Sequence, residues 1–93
     1  MHTPPPTPDR DRELILYQSN YCPFCRRVTQ MLDELGDAAS VEVRDTMVPE
    51  HRHALWTLTG RTQIPCLLID GEPLFESLDI NAWLGAYAAR GAV

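Results

Sequence analysis

The feature that most constrains the fold of this chain is a change of hydrophobic period at Cys22. Leu14-Ile15-Leu16-Tyr17 is an apolar run of strand length, whereas Val28, Met31, Leu32 and Leu35 recur at i, i+3, i+4 and i+7, one face of a helix. Between them stands Tyr21-Cys22-Pro23-Phe24-Cys25-Arg26-Arg27. Proline suits the first helical turn, because its missing N–H is one that would lack an intrahelical partner anyway. Cys22 therefore falls at or just before a helix start, where free backbone N–H groups and the positive end of the helix dipole favour an anion. Arg26 and Arg27 add to that field, so the spacing predicts a thiolate able to attack a disulfide. Cys25, nearly one turn later, is close enough to attack a mixed disulfide on Cys22. Cys22 reads as the nucleophile and Cys25 as the resolving thiol.

Other uses of a CxxC pair fit less well. Half a zinc site would need two more ligands, and Cys66, His51, His53 and His2 stand in no usual spacing, so no metal is expected. An inert core pair is an alternative that Pro and an aromatic residue between the cysteines disfavour.

Ninety-three residues make one domain with a single core. The net charge of −5 gives no reason to expect a nucleic-acid partner. No apolar run reaches the length of a membrane span, and the N-terminus lacks the apolar core of a signal peptide, so a cytoplasmic protein without a membrane partner is expected. In that reducing compartment a CxxC beside a strand–helix pattern points to redox chemistry. Residues 1–12 hold Pro4, Pro5, Pro6 and Pro8 among polar residues and read as a disordered tail; residues 13–93 read as the domain.

Within that domain the pattern predicts a strand at about 13–17, a helix at about 23–35 stopped by Gly36, and a strand over 40–44 with one buried face. Pro49 opens a second helix that carries Leu55 and Leu58 inward, with Trp56 as packing and His51 and His53 solvated. Two strands around Asp70-Gly71 form a hairpin, and Ser77 caps a last helix with Ile80, Trp83, Leu84 and Tyr87 on one face. The order βαβαββα gives a four-stranded mixed sheet flanked by three helices, an α/β fold whose first two strands are parallel.

This order and these motifs resemble the glutaredoxins of the thioredoxin-fold superfamily, from about Glu13 to Tyr87. Cys22-Pro23-Phe24-Cys25 is similar to the CPYC motif of that family, with Phe for Tyr. Arg61-Thr62-Gln63-Ile64-Pro65 resembles the Thr-Val-Pro segment, which implies a cis Pro65 and an Ile64 that offers its backbone N–H and C=O to glutathione. Glu76-Ser77 departs from the usual Gly-Gly-x-Asp-Asp segment and looks like the Glu-Ser pair of glutathione transferase N-terminal domains, which holds the γ-glutamyl end of glutathione. Ser19 stands where many glutaredoxins have a lysine for the glycyl carboxylate; Arg61 or Arg26 is the expected substitute. Tyr21 and Phe24 are expected to line the groove beside the sulfur, and Cys66 to be a small buried hydrophobe.

The resemblance implies a glutathione-dependent thiol–disulfide oxidoreductase, a dithiol glutaredoxin with catalytic Cys22 and Cys25 and a glutathione site of Tyr21, Phe24, Arg61, Ile64, Pro65, Glu76 and Ser77. Its expected partners are glutathione as co-substrate and disulfide-bonded or glutathionylated proteins, and it is expected to act as a monomer. Three alternatives stay open. A thioredoxin-like reductant would need no glutathione, and an iron–sulfur module would hold its cluster through Cys22 and glutathione. A glutathione transferase would need the helical second domain that the chain is expected to lack.

Overall fold

The computed structural model describes residues 4–91; residues 1–3 of the expected tail and 92–93 of the expected domain lie outside the described residues. Strand β1 (Leu14–Gln18) leads through Cys22 into helix α1 (Pro23–Leu35). A short 3-10 turn at Gly36–Ala38 precedes strand β2 (Glu42–Asp45), then come helix α2 (Pro49–Thr59), the hairpin β3 (Cys66–Ile69) and β4 (Glu72–Phe75), and helix α3 (Ser77–Ala88). The strands lie in the order β2-β1-β3-β4. The pair β1–β2 is parallel, while β3 runs antiparallel to both β1 and β4. This is the thioredoxin-like βαβαββα arrangement that the order of elements implies.

Alternation along the inner strands divides the core in two. Leu14 and Leu16 of β1 and Leu67 and Ile69 of β3 join Val28 of α1 and Ile80, Trp83, Leu84 and Tyr87 of α3 on one side. Tyr17, Cys66 and Leu68 join Leu55 of α2 on the other. Each fully buried aliphatic side chain contributes on the order of 1.5–3 kcal/mol, so the α1/α3 side carries most of the stabilisation. Gly85 faces Met31 across these two helices: a Cβ there would make an ordinary 3.4 Å contact with the Met31 methyl.

The hairpin turn follows its sequence closely. Asp70 and Gly71 both take positive φ, 49° and 85°, as a two-residue turn with a right-handed twist demands.

Several expectations need correction. Strand β2 lies at a sheet edge, and Val43, opposite Leu16, is exposed, so β2 has no fully buried face. On α2 only Leu55 is buried; Leu58 and Trp56 are both 55% exposed. A single helix resting on one side of the sheet turns a narrow stripe inward, and neither residue falls on it. Ser77 is the first helical residue of α3 rather than its cap; Glu76, at φ 72°, occupies the cap position without a side-chain capping bond.

The proline-rich segment expected to be a tail makes specific contacts in its described part. The carbonyl of Pro6 accepts from the Trp83 indole N–H at 2.8 Å, and the Arg12 N–H donates to the Tyr87 hydroxyl at 3.0 Å. Arg12 pairs with Asp70 at 3.1 Å, and Asp11 with Arg90 at 2.7 Å. The Glu13 backbone N–H and the Arg12 guanidinium hold the Asp70 carboxyl below the usual carboxylate range. Polar tips on α3 thus supply what the segment lacks in apolar surface.

Candidate functional site

Cys22 stands at the N-cap of α1 with extended backbone (φ −101°, ψ 114°), and Pro23 is the first helical residue. Its sulfur accepts a hydrogen bond from the Cys25 backbone N–H at 3.2 Å, one of the helix-start donors that would otherwise lack a partner. The chain enters the helix through a tight turn, with the Cys22 N–H on the Ser19 carbonyl at 3.2 Å and the Arg26 N–H on the Cys22 carbonyl at 3.1 Å. Ser19 is itself buried, and its hydroxyl accepts from the Tyr21 N–H at 3.3 Å. All three cysteines are free thiols.

The two thiols of the motif have opposite surroundings. Cys22 is partly exposed, while Cys25 is fully buried. Burial pushes the Cys25 thiol up to about 12, reinforced by its hydrogen bond with Cys22 and offset in part by the Ser19 backbone. Cys66, buried in β3, is likewise pushed up to about 12 by burial, against a smaller pull downward from Arg61. A protonated, covered sulfur is a poor nucleophile, which leaves Cys22 as the accessible one.

Three segments remote in sequence build a groove of about 480 Å³ from Phe24 and Arg27 of α1, Gln63, Ile64 and Pro65 of the loop before β3, and Glu76 to Asp79 at the start of α3. The Ile64–Pro65 bond is cis, and Ile64 lies outside the strand ladder, which begins at Cys66. Gln63 donates through Nε2 to the Glu76 carboxylate at 3.2 Å and accepts from Arg61 at 3.1 Å. Arg27 donates to the Ser77 hydroxyl at 3.3 Å.

The groove gathers five of the residues singled out from sequence, Phe24, Ile64, Pro65, Glu76 and Ser77. Neither Cys22 nor Cys25 lines it, and it also leaves out Tyr21, which is 84% exposed, and Arg61, whose guanidinium lies 4.3 Å from the centre of the Phe75 ring. Arg26 is exposed and lines no part of it. The sequence reading missed Arg27, Gln63, Leu78 and Asp79 as walls. Helical spacing could have found Arg27, since residues 24 and 27 share a helix face.

Among the described residues no group of three or more His, Cys, Asp or Glu side chains could hold a metal ion, and no helix is long and apolar enough to cross a membrane.

Comparison with known proteins agrees with the thioredoxin-like fold. The family model described as glutathione S-transferase, N-terminal domain, matches residues 16–90. Among curated proteins, a chloroplastic glutaredoxin-C4 of Oryza sativa is 36% identical over 63 residues, covering 63% of this chain and 46% of that protein. Glutaredoxin-C1 of Arabidopsis thaliana is 35% identical over 60 residues, 62% of this chain and 48% of that protein. The chain thus spans about half the length of these two relatives. Among solved structures, a trimeric glutathione transferase of Leishmania superposes with a TM-score of 0.67 at 30% identity, covering 88% of this chain and 18% of that one. The holo form of a poplar glutaredoxin C1 superposes at 0.56 with 27% identity, over 74% of this chain and 69% of that one. A wheat glutaredoxin shares the fold, with a TM-score of 0.61 at 23% identity over 86% of this chain and 83% of that one. With its model matched over most of its length, the chain belongs to the family of glutathione S-transferase N-terminal domains, and its likeness within that thioredoxin-like fold is to the glutaredoxins.

Proposed function

We propose that this protein is a glutathione-dependent thiol–disulfide oxidoreductase, a dithiol glutaredoxin acting as a monomer on protein disulfides and protein–glutathione mixed disulfides. The observation that carries the reading is the pairing of an accessible N-cap Cys22 with a groove that starts at Phe24 and runs past the cis Pro65 to Glu76 and Ser77. Ile64 offers backbone groups to the peptide portion of glutathione. Glu76 accepts from the γ-glutamyl ammonium, and Ser77 at the start of α3 favours its carboxylate.

In the reductive direction the Cys22 thiolate attacks the glutathionyl sulfur of a mixed disulfide. The protein sulfur leaves with the bonding electron pair and takes up a proton. The thiolate of a second glutathione then attacks the glutathionyl sulfur on Cys22, forming oxidised glutathione and releasing the Cys22 thiolate. With a protein disulfide, Cys22 first forms a mixed disulfide with one protein sulfur. Cys25 then loses its proton, attacks the Cys22 sulfur and releases the protein as a dithiol. Glutathione reduces the Cys22–Cys25 bond. The cycle needs a compartment that keeps glutathione reduced, as the cytoplasm does.

Intact mass measurement of the Cys25→Ser variant after brief exposure to oxidised glutathione, then to reduced glutathione, tests the reading. One adduct on Cys22 that reduced glutathione removes is expected. If no adduct forms while the unmodified protein still reduces protein disulfides with a thioredoxin reductase, the glutathione reading fails and a glutathione-independent reductant replaces it.

A further inference from the structure

Three charged side chains line the groove: Arg27 is its one cation among the described residues, and Glu76 and Asp79 are its anions. A carboxylate seated at the start of α3 would therefore share the groove with two carboxylates. Like charges gathered in one groove repel, and a helix N-terminus is a weak counterweight by itself. A ligand carboxylate at that place needs a further positive group, and the groove supplies only one.

The position of Arg27 suits that need. Its Nη1 donates to the Ser77 hydroxyl oxygen at 3.3 Å, so the hydroxyl hydrogen is left to donate to a ligand while the guanidinium keeps further N–H groups. Two donors thereby converge on one point. The Phe24 ring faces the guanidinium, 5.6 Å from ring centre to the central carbon, within the range of a cation–π contact. Asn81, one helical turn after Ser77, donates through Nδ2 to the Arg27 backbone carbonyl at 3.2 Å, which fixes α1 against α3 where the donors meet. Arg27, like Arg26 and Arg61, makes no ion pair among the described residues, and it alone of the three lines the groove.

From this geometry we propose that Arg27 is a specificity-determining residue whose guanidinium, together with the Ser77 hydroxyl, takes the α-carboxylate at the γ-glutamyl end of the ligand. The inference rests on the glutathione reading above and adds to it a residue that selects for a free α-carboxylate.

Calorimetric titration of the reduced full chain with S-methylglutathione, which cannot exchange thiols, tests it against the same compound with the γ-glutamyl α-carboxylate converted to a carboxamide. The unmodified protein should bind the carboxylate form about tenfold more tightly, the scale of one charge-assisted contact. Arg27→Gln should lose most of that discrimination, keeping only what Ser77 and the helix start supply, while Arg27→Lys should keep a larger part of it as a point charge without the fork. The proposal is overturned if Arg27→Gln still discriminates as the unmodified protein does, or weakens both compounds equally. Failure of the unmodified protein to bind either compound overturns instead the glutathione reading itself, and the proposal falls with it.

Discussion

The backbone N–H of Cys25 points at the sulfur of Cys22 across 3.2 Å, although the side chain of Cys25 is itself fully buried. One residue thus meets its partner twice, first through an amide that donates to the Cys22 sulfur and then, in the proposed cycle, through a thiol that resolves a mixed disulfide. From this asymmetry Cys22→Ser should lower disulfide reduction by about a thousandfold or more, as loss of a nucleophile does. Cys25→Ser should keep the removal of glutathione from mixed disulfides and lose most dithiol reduction. Steady-state rates on a glutathionylated peptide and on an intramolecular protein disulfide separate the two variants.

The buried thiols also predict a pH dependence. Burial raises the Cys66 thiol from 9.0 to about 12, so the folded state binds its proton more tightly than the unfolded chain does. The resulting stability is fully present below about pH 9 and is lost progressively as the pH rises toward 12. Cys66→Ala should lose stability less steeply over that interval, even with a lower starting value from the cavity it leaves. Urea midpoints measured from pH 8 to pH 11 for both proteins give the two slopes; equal slopes would mean that the Cys66 thiol does not contribute.

The two neighbouring residues Leu55 and Trp56 should behave in opposite ways. Leu55 is fully buried beneath α2 against Tyr17, Cys66 and Leu68, so Leu55→Ala should cost about 2–5 kcal/mol. Trp56→Ser should stay within about 0.5 kcal/mol, because the indole is already exposed. Chemical denaturation of both variants checks the contrast.

The N-terminal segment should contribute to stability. Removal of residues 1–9 deletes the Pro6 carbonyl that meets the Trp83 indole and shifts the remaining contacts to a new chain end. A loss of about 1 kcal/mol follows from that part-buried hydrogen bond, with the exposed Arg12–Thr7 bonds adding little. Comparison of denaturant midpoints, with indole fluorescence as the signal, tests this; an unchanged midpoint would return the segment to the role of a loose tail.

Sequence proved most informative where local chemistry and hydrophobic period agree. The apolar run before Ser19 and the helical spacing after Pro23 placed Cys22 at a helix N-cap, and Asp70-Gly71 announced its turn. The misreadings came where sheet position or tertiary distance decides. Val43 alternates like a half-buried residue yet lies on an edge, and Trp56 is large and apolar but faces away from the sheet. Nothing near Arg27 in the chain shows that Ser77, fifty residues on, will accept its hydrogen bond. The segment before Arg12 looked too polar to order because its partners, Trp83, Tyr87 and Arg90, are all supplied from the far end of the domain.

The two outer strands of the sheet also bear on how the molecule tolerates crowding. Pro73 sits within β4 and has no N–H to offer a further strand. Strand β2 is four residues long and carries Glu42, Arg44 and Asp45, with Arg44 paired to Glu42. Charge at one margin and proline at the other deny an incoming chain a long, apolar, unbroken ladder, which is how natural sheets resist aggregation.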